Sequence, residues 1–230
     1  MKPLSILICA AVCAFAQAPP AATTAPPAAA PVLADGLYAI FNTQMGAITA
    51  KLFETETPNT VKNFVALAKG TKAWKDPKTK MMVRRPLYNN IGFHRVMLDL
   101  MIQTGSAVPN GEHDCGVVIK GEVRPNLKFD QPGRLAMANT GSIDSGGCQF
   151  FITNAVAAPW NGDYTIFGQV VDGQNVVKEI SRVPAVNLMA KAPPKLISVT
   201  IKRVGAEPEP PAAPPPAKKI ATPPAAPAKK

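Results

Sequence analysis

The segment FHRVMLDLMIQTG, Phe93 to Gly105, sets an arginine, a histidine and a glutamine among large apolar side chains. Solvent-facing loops rarely use that mixture and a buried core tolerates charge poorly, so the charge needs a partner or a task. If residues 91–96 and 100–105 are two strands, alternate residues share a face. Phe93 and Arg95 then point one way with Met101 and Gln103 beside them, an apolar floor with a polar, charged rim. Taken alone, Arg95 reads as half of a structural ion pair, and His94 as a satisfied structural histidine. Other chemistries fail on the residues. His94 and Ser106 lack the nucleophile motif of a serine hydrolase. His113, Asp114 and Cys115 have no further ligand at metal spacing in a chain with two histidines, so no metal is expected.

The elements that must position this segment are short. Residues 37–41 and 48–53 are β-rich runs around a turn at 42–46, a hairpin pattern. The period then changes. Thr57 suits a helix cap, Pro58 its first turn, Val61, Phe64, Val65 and Ala68 its apolar stripe, and Gly70 its end. Further strands are expected at 117–119, 135–138, 149–153 and 165–171, and a second helix at 174–182 with Val176, Val177 and Ile180 buried. In the last strand, 196–204, Ile197, Val199 and Ile201 alternate with Ser198, Thr200 and Lys202, one dry face and one wet. Seven or eight short strands and two helices point to a mainly β fold, a closed antiparallel barrel capped by helices, whose closure removes exposed edges.

Both ends differ from this body. Of 25 prolines, five fall in residues 17–31 and nine in 206–230, so residues 17–32 and 206–230 read as extended, Ala/Pro-rich segments around one domain at 33–205. Residues 1–16 carry Lys2, an apolar run from Leu4 to Phe15 and the A-x-A site Ala14-Phe15-Ala16, the pattern of a cleaved signal peptide. The run is shorter than the ~20 residues of a spanning helix. Export is therefore expected, to the periplasm first, with secretion or the cell surface as the other destinations. Cleavage removes Cys9 and Cys13. The remaining Cys115 and Cys148 read either as a pair in an oxidising compartment or as two independent buried thiols.

The formal charge of +10 is concentrated in a loop with Lys72, Lys75, Lys78, Lys80, Arg84 and Arg85 against Asp76, and in the Lys-rich tail. Such a run is ordinarily a solvated loop. No aromatic interleaving or nucleic-acid motif accompanies it, so specific nucleic-acid binding is not expected, and weak adhesion to anionic surfaces is the most it implies.

Four motifs, FHRVMLDLMIQTG from Phe93, LAMANTG from Leu135, CQFFIT from Cys148 and NGDYTIFGQVVDG from Asn161, together resemble the cyclophilin family of peptidyl-prolyl isomerases. They occur in the family's order and at compatible spacings, and the resemblance runs from about Leu37 to Val204. It implies an eight-stranded barrel with two helices and a shallow outer groove. Arg95 falls on the family's catalytic arginine, Gln103 on its supporting glutamine, and Phe151 on the phenylalanine at the base of the proline pocket. Met101 matches the pocket methionine, while Ala138, Asn139 and Gln149 match positions that hold the peptide before proline. His94 matches the histidine beside the groove, Trp160 takes the place of a pocket-wall leucine, and Tyr164 that of a histidine or tyrosine. The resemblance also brings the loops carrying Cys115 and Cys148 together at the groove's rim, which implies a bridge.

The implied activity is acceleration of X-Pro rotation in exported client proteins, with proline-containing peptides and unfolded or folding proteins as partners. The protein is expected to act as a monomer without a cofactor. The sequence departs from the family at Leu98-Asp99-Leu100, where a Pro-Gly-Phe run is usual, so Leu100 leaves the floor one ring smaller. Thr104 and Ser106 replace a glycine and an acidic residue. Pro159 stands where several members carry the tryptophan associated with cyclosporin binding, so poor sensitivity to that drug is expected. Leu100 also motivates the alternative, a non-catalytic proline-peptide binder or holdase chaperone.

Overall fold

The computed structural model describes residues 32–207. The expected signal segment, and all but the ends of the two Ala/Pro-rich segments, lie outside the described residues. The chain opens with β1 (Gly36–Thr43) and β2 (Gly46–Leu52), an antiparallel pair whose turn is closed by the Thr43 hydroxyl, which donates to the Gly46 carbonyl at 2.6 Å. Helix α1 (Pro58–Lys69) follows and ends at Gly70, which adopts the left-handed conformation with φ +74°. Thr57 does not cap it, because its hydroxyl donates to the Phe53 carbonyl instead. The cap comes from far away. Glu122 accepts from the Asn59 and Thr60 amides at 3.2 and 2.8 Å, placing a carboxylate at the positive end of the helix. Leu67 joins Val61, Phe64 and Ala68 on the buried stripe, while Val65 is only half-buried.

A small separate hairpin, β3 (Trp74–Lys75) and β4 (Met82–Val83), precedes the remaining strands: β5 (Ile91–Gly92), β6 (Arg95–Met97), β7 (Met101–Thr104), β8 (Arg134–Met137), β9 (Phe150–Thr153) and β10 (Ile166–Asp172). Helix α2 (Gln174–Ser181), the two-residue strands β11 (Ala185–Val186) and β12 (Met189–Ala190), and β13 (Lys195–Val204) complete the chain. The main sheet is antiparallel, in the order β11-β12-β6-β7-β9-β8-β10-β2-β1-β13-β5. The fold is mainly β with two helices. Its strands outnumber the expected seven or eight because several are two-residue pieces.

Three expectations about strands are corrected. Residues 117–119 form no strand, only a single bridge between Ile119 and Gly146, because this segment belongs to a long irregular loop stitched down at separate points. Residues 91–96 are not one strand: β5 pairs with β13, β6 pairs with β7, and the ladder breaks at Phe93 and His94. The break turns Phe93 into the core, fully buried, so it does not share a face with Arg95. In β13 the register slips by one residue opposite Asn42 and Thr43. That bulge brings Leu196 to the core and leaves Ile197 41% exposed, whereas Val199 and Ile201 still pack inward.

Two apolar clusters lie on opposite faces of β9. Phe150 belongs to the main one, where Phe64 meets Phe150 edge to face at 5.4 Å and stacks on Tyr88 at 5.3 Å. Its neighbour Phe151 points the other way, as period-two alternation requires, into a smaller cluster with Met101, Phe129, Ala136, Ala157 and Ile166. The second cluster is the floor of the site.

Candidate active site

Strands β6, β7 and β9 lie side by side, and their register sets the site. Arg95 stands opposite Gln103, Gln103 opposite Phe151, and Met97 opposite Met101. All five therefore lie on one face, while Val96 and Ile102 between them fill the main core. A cavity of about 430 Å³ opens over this face, lined by Arg95, Met97, Met101, Gln103, Ala138, Asn139, Phe151, Trp160 and Tyr164.

The floor is aromatic and rigid. Phe151 is 4% exposed and meets Trp160 and Tyr164 edge to face at 5.5 and 5.1 Å. Beneath it Phe129, fully buried, stacks nearly parallel at 5.9 Å and 16°. The Phe129 amide is held at 2.7 Å by the Asn161 side-chain oxygen. Sequence reasoning missed Phe129 and Met97. Met97 was legible from its position two residues beyond Arg95 on the same strand. Phe129 lies in an irregular loop that carries no periodic signal.

One charge faces this floor. Arg95 is half-buried and belongs to none of the ion pairs among the described residues. That removes the structural-pair reading. Its Nη1 donates to Gln103 Oε1 at 3.2 Å, Gln103 Nε2 to Gln149 Oε1 at 2.9 Å, and Gln149 Nε2 to the Gly111 carbonyl at 2.7 Å. The relay fixes both amide orientations, since each glutamine presents its oxygen toward Arg95 and its nitrogen away from it. Gly111 is thereby part of the site's support, with φ +79°, and no sequence signal marked it.

Asn139 is anchored by its side chain, which donates to the Asp163 carbonyl at 2.7 Å and accepts from the Gly141 amide at 3.1 Å. Ala138 is fixed through its amide to the Gln149 carbonyl at 3.0 Å. The wall formed by these residues is thus tied to both Tyr164's loop and Gln149, the residue just before β9.

Two expected groove residues sit elsewhere. His94 is 3% exposed and lies under Gly111, where an added Cβ would approach His94 Cδ2 to 2.6 Å. Burial pushes its pKa down, and the neighbouring Arg95 charge adds to the effect. A neutral, covered imidazole packs behind the groove and does not line it. Leu100 is half-buried against the smaller cluster but does not line the cavity; Met97 takes that place. The turn that carries it keeps a Leu100 amide to Met97 carbonyl bond of 2.9 Å, with Asp99 in the left-handed region at φ +54°.

A second cavity of about 570 Å³ adjoins the first and shares Gln103, Ala138 and Asn139 with it, while Gln149 lines the second alone. Cys115 and Cys148 lie in its wall, joined as a disulfide with Cα atoms 6.5 Å apart. His113 is committed to backbone, its Nε2 2.7 Å from the Lys75 carbonyl oxygen and its Nδ1 accepting from the Ala107 amide. With Cys115 in a disulfide as well, this trio offers no metal site.

An arginine held over an aromatic floor by neutral amides can stabilise electron density that appears on a bound apolar group. Residues 38–206 match the model of the cyclophilin type peptidyl-prolyl cis-trans isomerase/CLD family. The chain is 40% identical over 154 residues to peptidyl-prolyl cis-trans isomerase B of Streptomyces anulatus, covering 66% of this chain and 87% of that one. It is also 40% identical over 146 residues to peptidyl-prolyl cis-trans isomerase A of Mycobacterium tuberculosis, covering 63% and 80%. Among solved structures it is similar to a cyclophilin type peptidyl-prolyl cis-trans isomerase of Cryptosporidium parvum, with TM-score 0.61 and 26% identity, covering 73% of this chain and 98% of that one. The same parasite protein, solved in the presence of the dipeptide Ala-Pro, matches equally.

Proposed function

The chain belongs to the cyclophilin-type peptidyl-prolyl cis-trans isomerase family and is an isomerase of X-Pro bonds; from that premise we propose that Arg95 is the group that speeds the rotation. Turning an X-Pro bond breaks amide resonance against a barrier of ~18–20 kcal/mol, and no bond need be made. At the twisted transition state the proline nitrogen becomes pyramidal and regains its lone pair. A guanidinium aimed at that atom stabilises density that the planar ground state lacks.

The observation that carries this reading is Arg95 itself, facing the Phe151 floor and held by Gln103 without a carboxylate to consume its charge. The proline ring is proposed to rest on Phe151 between Met101, Met97 and Trp160. Ala138, Asn139 and Gln149 are proposed to hold the preceding backbone, so that only one side of the bond turns. Tyr164 closes the wall. About 7 kcal/mol of differential stabilisation corresponds to a rate gain near five decades.

Relaxation of an Ala-Pro peptide, followed without a coupled protease, tests the assignment. Arg95→Ala should lower kcat/KM by roughly 100- to 1,000-fold, the range for losing one transition-state donor. Equal rates for the two proteins would remove Arg95 from the chemistry.

Proline-containing peptides and folding proteins are the proposed substrates, a reading supported by the relative solved with Ala-Pro. The main sheet is proposed to close as an eight-stranded barrel. In support, β5 and β6 are separated only by Phe93 and His94, yet β5 pairs with β13 and β6 with β7. Export to the periplasm is proposed from the A-x-A site at Ala14-Phe15-Ala16, and the paired cysteines agree with an oxidising compartment. Amino-terminal sequencing of the mature protein should begin at Gln17.

A further inference from the structure

The β3–β4 hairpin stands apart from the main sheet and takes no part in the groove. Its tip is held rigid from within. Asp76 Oδ1 accepts from the Lys78 and Thr79 amides at 2.8 and 3.1 Å, and Oδ2 pairs with Arg85. These bonds, the Thr79 amide first, hold the Asp76 pKa down at about 2. The Arg85 guanidinium lies 4.6 Å from the centre of the Trp74 ring, whose Nε1 donates to the Arg85 carbonyl at 2.7 Å. The segment's one acid is therefore turned inward, 6% exposed.

What the hairpin presents outward is cationic and apolar together. Lys78, Lys80 and Arg84 are exposed and belong to no ion pair among the described residues. Lys80 sits at φ +60°, a left-handed residue that ends the turn immediately before two methionines. Met81 and Met82 are 68% and 55% exposed. A solvated basic loop gains nothing from exposed methionines, and a soluble polyanion would be bound by the charges alone. Flexible apolar side chains next to lysines match a surface with phosphate on top and hydrocarbon beneath.

We propose that this hairpin docks the protein on an anionic phospholipid bilayer, Lys78, Lys80 and Arg84 meeting headgroup phosphates while Met81 and Met82 enter the acyl boundary. The groove residues lie on other strands, so docking leaves them free to act.

The test is partitioning of the full mature chain onto vesicles of phosphatidylcholine with 30% phosphatidylglycerol (roughly the anionic surface that polybasic segments meet), onto pure phosphatidylcholine vesicles, and onto immobilised heparin. Binding to the anionic vesicles should weaken with salt. Lys78→Gln with Lys80→Gln should lower that partitioning by roughly 30-fold, from about 1 kcal/mol per lysine at the surface. Met81→Ser with Met82→Ser should lower it by roughly tenfold without changing heparin binding. Peptide isomerisation should be unchanged in both double variants, which confirms that they fold. The proposal is overturned if the mature chain does not bind the anionic vesicles. It is overturned equally if both variants bind like wild type, which assigns adhesion to other lysines, or if only the lysine variant weakens binding, which assigns it to polyanions.

Discussion

Asp99 and Arg182, 83 residues apart in sequence, meet in a two-pronged ion pair: Arg182 Nε lies 2.7 Å from Asp99 Oδ1 and Nη2 3.2 Å from Oδ2. The pair ties the end of α2 to the turn between β6, which carries Arg95, and β7, which carries Met101 and Gln103. It also explains how this turn tolerates a side chain at φ +54°, since aspartate accepts the left-handed region better than most residues and gains a partner there.

Replacing Asp99 separates the two effects. Asp99→Gly removes the pair but relieves the backbone, whereas Asp99→Ala loses the pair and keeps the strain, so its Tm should be the lower of the two. The Arg182 hydrogen bond depresses the Asp99 pKa. A depressed carboxylate stabilises the fold above its ordinary pKa and loses that contribution as pH falls through the folded value. The Tm gap between wild type and Arg182→Ala should thus be open at pH 7 and close below about pH 4. A gap that persists at pH 2 would show that Arg182 acts by packing.

The Cys115–Cys148 bridge closes a loop of sequence separation 33 that contains Phe129 and begins four residues after Gly111. In the chain-entropy model this contributes about 3 to 4 kcal/mol. Reduction should lower the denaturation midpoint of the mature protein accordingly, and the double variant Cys115→Ser, Cys148→Ser should be insensitive to reductant. Thiol titration of the unreduced, denatured protein should find none; two thiols would remove the bridge.

What could be read from the sequence follows from where its patterns are regular. Arg95, Gln103 and Phe151 sit on strands short of any bulge, and period-two alternation places them on one face. Phe93 escaped because the ladder breaks beside it, and Ile197 because a one-residue bulge inverts the alternation. Glu122, Gly111 and Phe129 were invisible for another reason. Each acts through a long-range contact from an irregular segment, to α1, to Gln149 and to Phe151 respectively, and no local period encodes such a partner.

Gln149 is the joint between this loop and the chemistry, because its amide accepts from Gln103 and donates to the Gly111 carbonyl. Gln149→Leu keeps roughly the volume and removes both bonds. It leaves Gln103 free to rotate and Arg95 less well aimed, so kcat should fall by roughly tenfold, within the loss expected from a small misalignment of a transition-state donor. Gln149→Glu should restore the bond from Gln103 but not the one to Gly111, and so recover part of kcat. Identical kcat in both variants and wild type would remove Gln149 from the positioning of Arg95.

Phe129 supports Phe151 from beneath and, being fully buried, cannot touch a peptide in the groove. Its effect on activity must pass through the ring above it. Phe129→Ala should cost about 3 to 5 kcal/mol of stability, the range for deleting a buried aromatic. Phe129→Leu is the sharper test, because it keeps most of the volume and loses the stack, worth about 0.5 to 1.5 kcal/mol. The folded Phe129→Leu protein should hold Phe151 less firmly, raising KM for a proline peptide more than it changes kcat, since the floor binds the ring in ground and transition states alike. If KM is unchanged while the denaturation midpoint falls, Phe129 belongs to the core alone and Phe151 is positioned by Trp160 and Tyr164.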